Sequence, residues 1–455
     1  MKKDINPPEI VRTKRQRKKA KRYYLKVHNQ TLLVRRKLTR KKVTSQGYIS
    51  MRNSFICEEF LASNPSGFKA KRKKKVGISI PKNFDIFRNT ESVMLSVIEI
   101  TKKLMMPGLR EIEVDHAKVK QTSLGSESLL GLLLTEVISH RRSQRSEKIS
   151  IKGMLPSSGE YSRTLIDHVG TVKELSDDHF RDAEDSSHDA QVHYYRKDNR
   201  YAESTSLKGD NKSLTAEDFV NYLNDCLASH ELKLSQSAKN KFKACLGEVF
   251  DNAEEHCGRN KPVWFVRGFF HDVIDDRFLE LSVFNLGNSF YDNFNRLPET
   301  SKVKAIARSY VDRHRDSFDV KSLYSVMSLQ GSMSTKKDLD PTRGHGSVTL
   351  IETFETMYDE YKALRGNEIN NFNAEMNIIS GETIIRFDGS YRSKTKQLEG
   401  GEETFTVAFN DSQSLKKPPS NKTVYTMKDV KFPGVMINIR IPLKGSTVPL
   451  PRSAK

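Results

Sequence analysis

A carboxylate, a carboxamide and an imidazole recur at four-residue spacing in the stretch 243–256, as Glu248, Asn252 and His256. A helix, turning about 100° per residue, projects all three from one side. Phe242, Leu246, Val249, Phe250 and Ala253 fall on the other side, where a sheet would cover them. The amide oxygen of Asn252 can ligate a hard cation, and Glu248 one turn earlier can orient or deprotonate a water. A surface helix with ordinary polar residues outside carries the same pattern, so this stretch alone leaves both readings open.

Two glycine turns follow. Leu279 to Gly287 reads as a strand running into a turn, with Leu279, Leu281, Val283 and Asn285 on one face. Further on, Arg343-Gly344-His345-Gly346 opens a helix over 347–364. Glycines there let backbone N–H groups approach a phosphate, and the helix offers its positive end.

In this order the three stretches resemble the N, G1 and G2 boxes of the GHKL ATPases. That is the Bergerat fold of gyrases, heat-shock chaperones, mismatch-repair proteins and histidine kinases. The wording Glu248-Val-Phe-Asp-Asn-Ala-Glu-Glu-His256 is closest to the histidine-kinase-like and anti-sigma-factor branch. The resemblance covers about residues 213–445 and implies a two-layer α/β sandwich with ATP and Mg2+ as cofactors. It implies Glu248 as the catalytic residue and Asn252 as the magnesium ligand. Nucleotide contacts are implied for Asn252, His256, Asn285, Gly287, Lys336, Lys337, Arg343, Gly344 and Gly346. At Asn285 the family has an Asp that accepts from the adenine amino group; Asn keeps a carbonyl acceptor and loses the charge. A strand-end Asn making a turn before Gly287 is the competing reading. The segment 289–343 stands where the family has its lid.

The positioning elements follow from periodicity. Residues 76–175 alternate strand and helix: strands at 77–81, 110–115 and 148–155, helices over 91–104, from 126 and over 163–175. This α/β domain resembles the STAS fold of anti-sigma-factor antagonists, which implies a protein partner. In the run Ser126-Glu127-Ser128-Leu129, Glu127 stands where that family has its phosphate-accepting hydroxyl, and Ser128 reads as an exposed helix cap. Residues 176–212 are polar and read as a linker. In the second domain, helices are expected at 215–230, 237–257, 302–311 and 320–330. Strands are expected at 262–270, 278–284, 374–380, 383–387 and 435–443. The polar stretch 389–432 reads as a surface insertion and 446–455 as a tail. The fold class expected for the whole is α/β.

Charge is concentrated at one end. Residues 1–75 hold 24 Lys/Arg against four acids, which accounts for the whole formal net charge of +20. Tyr23, Tyr24, Tyr48 and Phe55 interleave with the basic clusters, a composition that neutralises phosphates and stacks bases. Such an arm favours DNA or RNA as partner over a lipid surface, since no anchor or insertion helix accompanies it. No apolar run reaches the roughly 20 residues of a membrane span, and no secretory signal is evident. Four cysteines without CxxC spacing indicate neither zinc nor a disulfide framework, so a cytoplasmic location is expected.

The expectation is an ATP-binding regulatory protein, an Mg-dependent ATPase or ATP-gated switch acting with nucleic acid. A serine protein kinase of the anti-sigma-factor kind and a non-hydrolysing scaffold stay open, as does a homodimer. No amphipathic helix with a phosphoacceptor His precedes the ATPase-like domain, which argues against autophosphorylation on His.

Overall fold

The computed structural model describes residues 55–65, 71–145, 149–157, 160–169, 174, 194–198, 211–228, 230–258, 262–271, 277–331, 333, 346–365, 374–397, 403–443 and 447–450. Both helices and strands are abundant, and parallel and antiparallel sheets coexist. No helix among the described residues is long and apolar enough to cross a membrane.

The N-terminal unit begins with α1 (Phe55–Ser63), β1 (Lys75–Ser79), β2 (Asn83–Phe84), α2 (Thr90–Leu104), β3 (Glu111–Asp115) and β4 (Gln121–Thr122). It continues with α3 (Leu124–Arg145), β5 (Ser150–Met154) and α4 (Glu160–His168). Strands β1, β3 and β5 form a parallel sheet in that order, and β2 pairs with β4. Val76, Ile78, Ile112 and Val114 alternate inward, as period two requires. Helix α2 buries Val93, Met94, Val97, Ile98, Thr101 and Leu104 at helical spacing. Helix α3 is apolar nearly all round, from Leu129 to Ile138, because it is covered on all sides.

Helix α1 corrects the sequence reading, which counted it in the basic arm. Ile56, Cys57 and Phe60 are fully buried, and the Glu136 carboxylate accepts the N–H groups of Ile56 and Cys57 at 3.0 and 3.1 Å. A carboxylate at a helix start satisfies donors that have no partner within the helix. Glu127 and Ser128 are also fully buried, so Ser128 is no exposed cap. Glu127 accepts from Thr122 Oγ1 at 2.9 Å and lies 3.5 Å from His116 Nε2.

The larger unit carries β6 (Tyr194–Asp198), α5 (Asn211–Ala228), β7 (Leu232–Leu234), α6 (Gln236–Glu255), β8 (Val263–His271) and β9 (Phe278–Leu286). Next come α7 (Phe290–Arg296), α8 (Lys302–His314), α9 (Val320–Ser328), α10 (Gly346–Arg365), β10 (Glu375–Ser380) and β11 (Thr383–Phe387). It closes with β12 (Lys394–Gln397), β13 (Glu403–Thr406), β14 (Val424–Thr426), β15 (Gly434–Pro442) and β16 (Thr447–Pro449). Seven strands make an antiparallel sheet ordered β14-β11-β10-β15-β9-β8-β6, and all nine residues of β9 are buried.

That burial has a cause on each face. Leu279, Leu281 and Val283 join the core formed with α5, α6 and α10. Phe284, Leu286, Phe265 and Met436 join the core of the N-terminal unit, whose α3 lies against β8 and β9. The second face also carries a row of buried polar groups. Glu280 accepts from Arg440 Nε at 2.8 Å, from Leu124 N at 2.7 Å and from Tyr161 Oη. Asn377 donates to the Ile86 carbonyl at 3.0 Å, and Arg267 pairs with Glu174 at 2.6 Å.

Three polar stretches differ from the sequence reading. Tyr194–Asp198, within the expected linker, is β6, an edge strand whose two tyrosines are buried. The expected surface insertion 389–432 supplies β12 to β14 and buries Phe405, Val407, Phe409, Met427 and Phe432. The expected tail includes β16, which pairs with β7.

Candidate functional site

Helix α6 starts at Ser235, whose hydroxyl accepts from Ala238 N at 3.2 Å. Its apolar face is the expected one: Phe242, Leu246, Val249, Phe250 and Ala253 are buried. Phe250 stacks on Trp264 of β8 at 4.7 Å, which fixes the helix against the sheet. Glu248 and Asn252 therefore emerge along the helix edge, and both line a cavity of about 300 Å3 between the helices and the sheet. His256 lines it too, but as the residue that ends the helix, its N–H bound to Asn252 O at 3.1 Å.

The floor is sheet. Val283 and Asn285 of β9 reach the cavity beside Val435 and Ile437 of β15 and Ile378 of β10. Asn285 sits in register between Trp264 and Val435 and is 6% exposed. Its side chain makes no hydrogen bond to another described residue and lines the cavity, where water or a ligand can reach its amide. The opposite walls are Val249, Ala253, Leu329, Met333 and Leu350.

Gly287 lies beyond the lining. Its φ is +146°, and a Cβ there would stand 2.1 Å from the Cys257 carbonyl oxygen. Its function is a close backbone approach: Cys257 O accepts from Asn288 N at 2.9 Å, tying the end of α6 to the end of β9. Sequence reasoning missed Asn288 and Asn293, which line the cavity and bond to each other at 2.9 Å. The signal was the capping box Ser289–Asp292, which starts α7 and sets Asn293 one turn along. Asp251, Glu255 and Ser347 also line the cavity.

Gly346 begins α10, and Ser347 and Leu350 bring the first turn of that 20-residue helix to the cavity. Lys336, Lys337, Arg343 and Gly344 lie outside the described residues. The expected lid narrows in the same way. Helices α8 and α9 pack Val303, Tyr310, Leu323 and Val326 into the main core.

Electrostatically the lining is acidic on its helix side. The Glu248 charge, added to burial, pushes the neighbouring Cys245 thiol up to about 12. Asp251 is engaged by Lys212, which also reaches Glu254 at 3.3 Å. No cluster of three or more His, Cys, Asp or Glu suited to a metal occurs among the described residues. The Asn252 amide with nearby carboxylates suits a cation that takes most of its ligands from phosphate and water. No protein-family profile matches this chain, and neither a curated protein nor a solved structure matches it.

Proposed function

We propose that this chain is a magnesium-dependent nucleotide-binding regulatory protein of the GHKL kind, and that it hydrolyses ATP. The observation that carries the reading is Asn285: a carboxamide with no partner among the described residues, on the floor of a cavity that Glu248 and Asn252 also line. An apolar cleft with a few convergent polar groups is the usual form of a small-molecule site. Asn285 takes hydrogen bonds from the base edge, while Val283, Val435 and Leu350 exclude water from its faces. The positive end of α10 receives phosphate. Asn252 orients toward the cation, and Glu248 holds the attacking water and takes its proton. Bound magnesium supplies neutralisation of the phosphate charge.

Nucleic acid belongs to the same proposal. The basic stretch before α1 would supply a phosphate-neutralising contact, while the N-terminal unit covers the second face of the sheet. Calorimetry with MgATP, then turnover with and without DNA or RNA, tests the reading. Asn252→Ala should abolish magnesium-dependent binding, and Glu248→Ala should spare binding and stop turnover. Parent-like behaviour of both variants would remove the assignment.

A further inference from the structure

We propose that the cavity accepts 6-oxopurine as well as 6-aminopurine nucleotides, because the group that reads the base is the carboxamide of Asn285; this rests on the nucleotide reading above. A carboxylate presents only acceptors. A carboxamide presents one acceptor oxygen and an NH2 donor side by side. Against a 6-aminopurine, the oxygen accepts from the amino group and the NH2 donates to ring N1. Turned over about its last torsion, the same amide donates to O6 and accepts from the N1–H of a 6-oxopurine. Both pairings are bidentate and use the same two positions.

Whether the amide can turn depends on its neighbours. The terminal torsion of Asn is broad and roughly two-fold, so only hydrogen bonds fix its orientation. Asn285 has none: its flanking residues in register are Trp264 and Val435. The Trp264 indole N–H is directed elsewhere, to Glu254 Oε1 at 2.9 Å. Contrast Asn288 in the same cavity, whose amide is held by Asn293 at 2.9 Å, and Asn293, whose NH2 is held by the His256 carbonyl at 2.9 Å. The Asn285 amide on the cavity floor is left able to turn. Its floor neighbours Val283, Val435, Ile437 and Ile378 are aliphatic and offer no group that selects between the two purine edges.

The test is calorimetry on the full chain with MgATP and MgGTP, for the parent and for Asn285→Asp and Asn285→Ala. The parent should bind the two within about tenfold of each other, since both pairings are complete. Asn285→Asp should weaken ATP relative to GTP by about 10- to 100-fold, because a carboxylate has no donor for adenine N1 but accepts from the N1–H and 2-amino group of guanine. Asn285→Ala should weaken both alike, and circular dichroism reports whether each variant is folded. A parent that binds ATP more than 100-fold better than GTP overturns the proposal while leaving the nucleotide reading intact. An unchanged ATP-to-GTP ratio in a folded Asn285→Asp overturns it as well. A parent that binds neither overturns the nucleotide reading itself.

Discussion

Replacing Glu280 by alanine tests whether the N-terminal unit and the seven-stranded sheet are one cooperative structure. Glu280 is 1% exposed and accepts from Arg440, from the first backbone N–H of α3 and from Tyr161. Its removal leaves the Arg440 guanidinium, 3% exposed, still paired with Glu375 at 2.9 Å. Breaking a buried ion pair from one side costs about 3–5 kcal/mol. The orphaned Leu124 N–H adds about 1–3 kcal/mol. Glu375 stays in place, so the lower ends of both ranges apply and the loss is about 4 kcal/mol. Equilibrium urea unfolding, followed by tryptophan fluorescence and circular dichroism, reads it. Trp264 is the only tryptophan and sits on the sheet, so coincidence of the two probes reports whether both units unfold together. The paired change Glu280→Leu with Arg440→Met should recover most of the loss, because an apolar pair of similar volume needs no charge compensation. A Glu280→Ala variant within about 1 kcal/mol of the parent would refute the reasoning. Separate transitions by the two probes would show that the shared core is not cooperative.

Two glycines should respond oppositely to alanine in thermal denaturation. Gly287→Ala forces a Cβ against the Cys257 carbonyl at φ +146° and should cost about 1–3 kcal/mol and lower nucleotide affinity. Gly247→Ala, inside α6 with nothing near its Cβ position, should add about 0.5–1 kcal/mol. Cys245, whose folded-state thiol is raised from 9.0 to about 12 by burial and by Glu248, contributes stability that is complete below pH 9 and lost as pH climbs toward 12. Thiol-reactive reagent at pH 8.5 should leave Cys245 unlabelled in the native chain, and Cys245→Ala should flatten the alkaline fall in melting temperature. Deleting residues 1–54 should remove salt-sensitive nucleic-acid binding and leave the melting midpoint unchanged. Extending the deletion through residue 63 should lower that midpoint, because Ile56 and Phe60 leave the core; an equal effect of both deletions would contradict the burial of α1.

The sequence alone determined the elements whose burial repeats within their own length. Helix α6 carries its polar and apolar faces every three or four residues, and β9 alternates Leu279, Leu281, Val283 and Asn285. Solvent and core are thus assigned before any long-range contact forms. Glu248, Asn252, His256 and Asn285 line one cavity; their periodicity did not imply that meeting, which was expected only from the resemblance. Tertiary structure decided what short polar segments do. Tyr194–Asp198 has too few residues to show a period and becomes a strand only by pairing with β8, about seventy residues on. Phe405, Val407 and Phe409 are buried because the stretch around them closes over the core, although Lys, Ser and Thr dominate its composition. Likewise, nothing local marks Glu280, Ser282, Asn377 and Arg440 as interior. They sit where a one-sided antiparallel sheet would meet water, and they are buried because a second folded unit covers that face and supplies their partners.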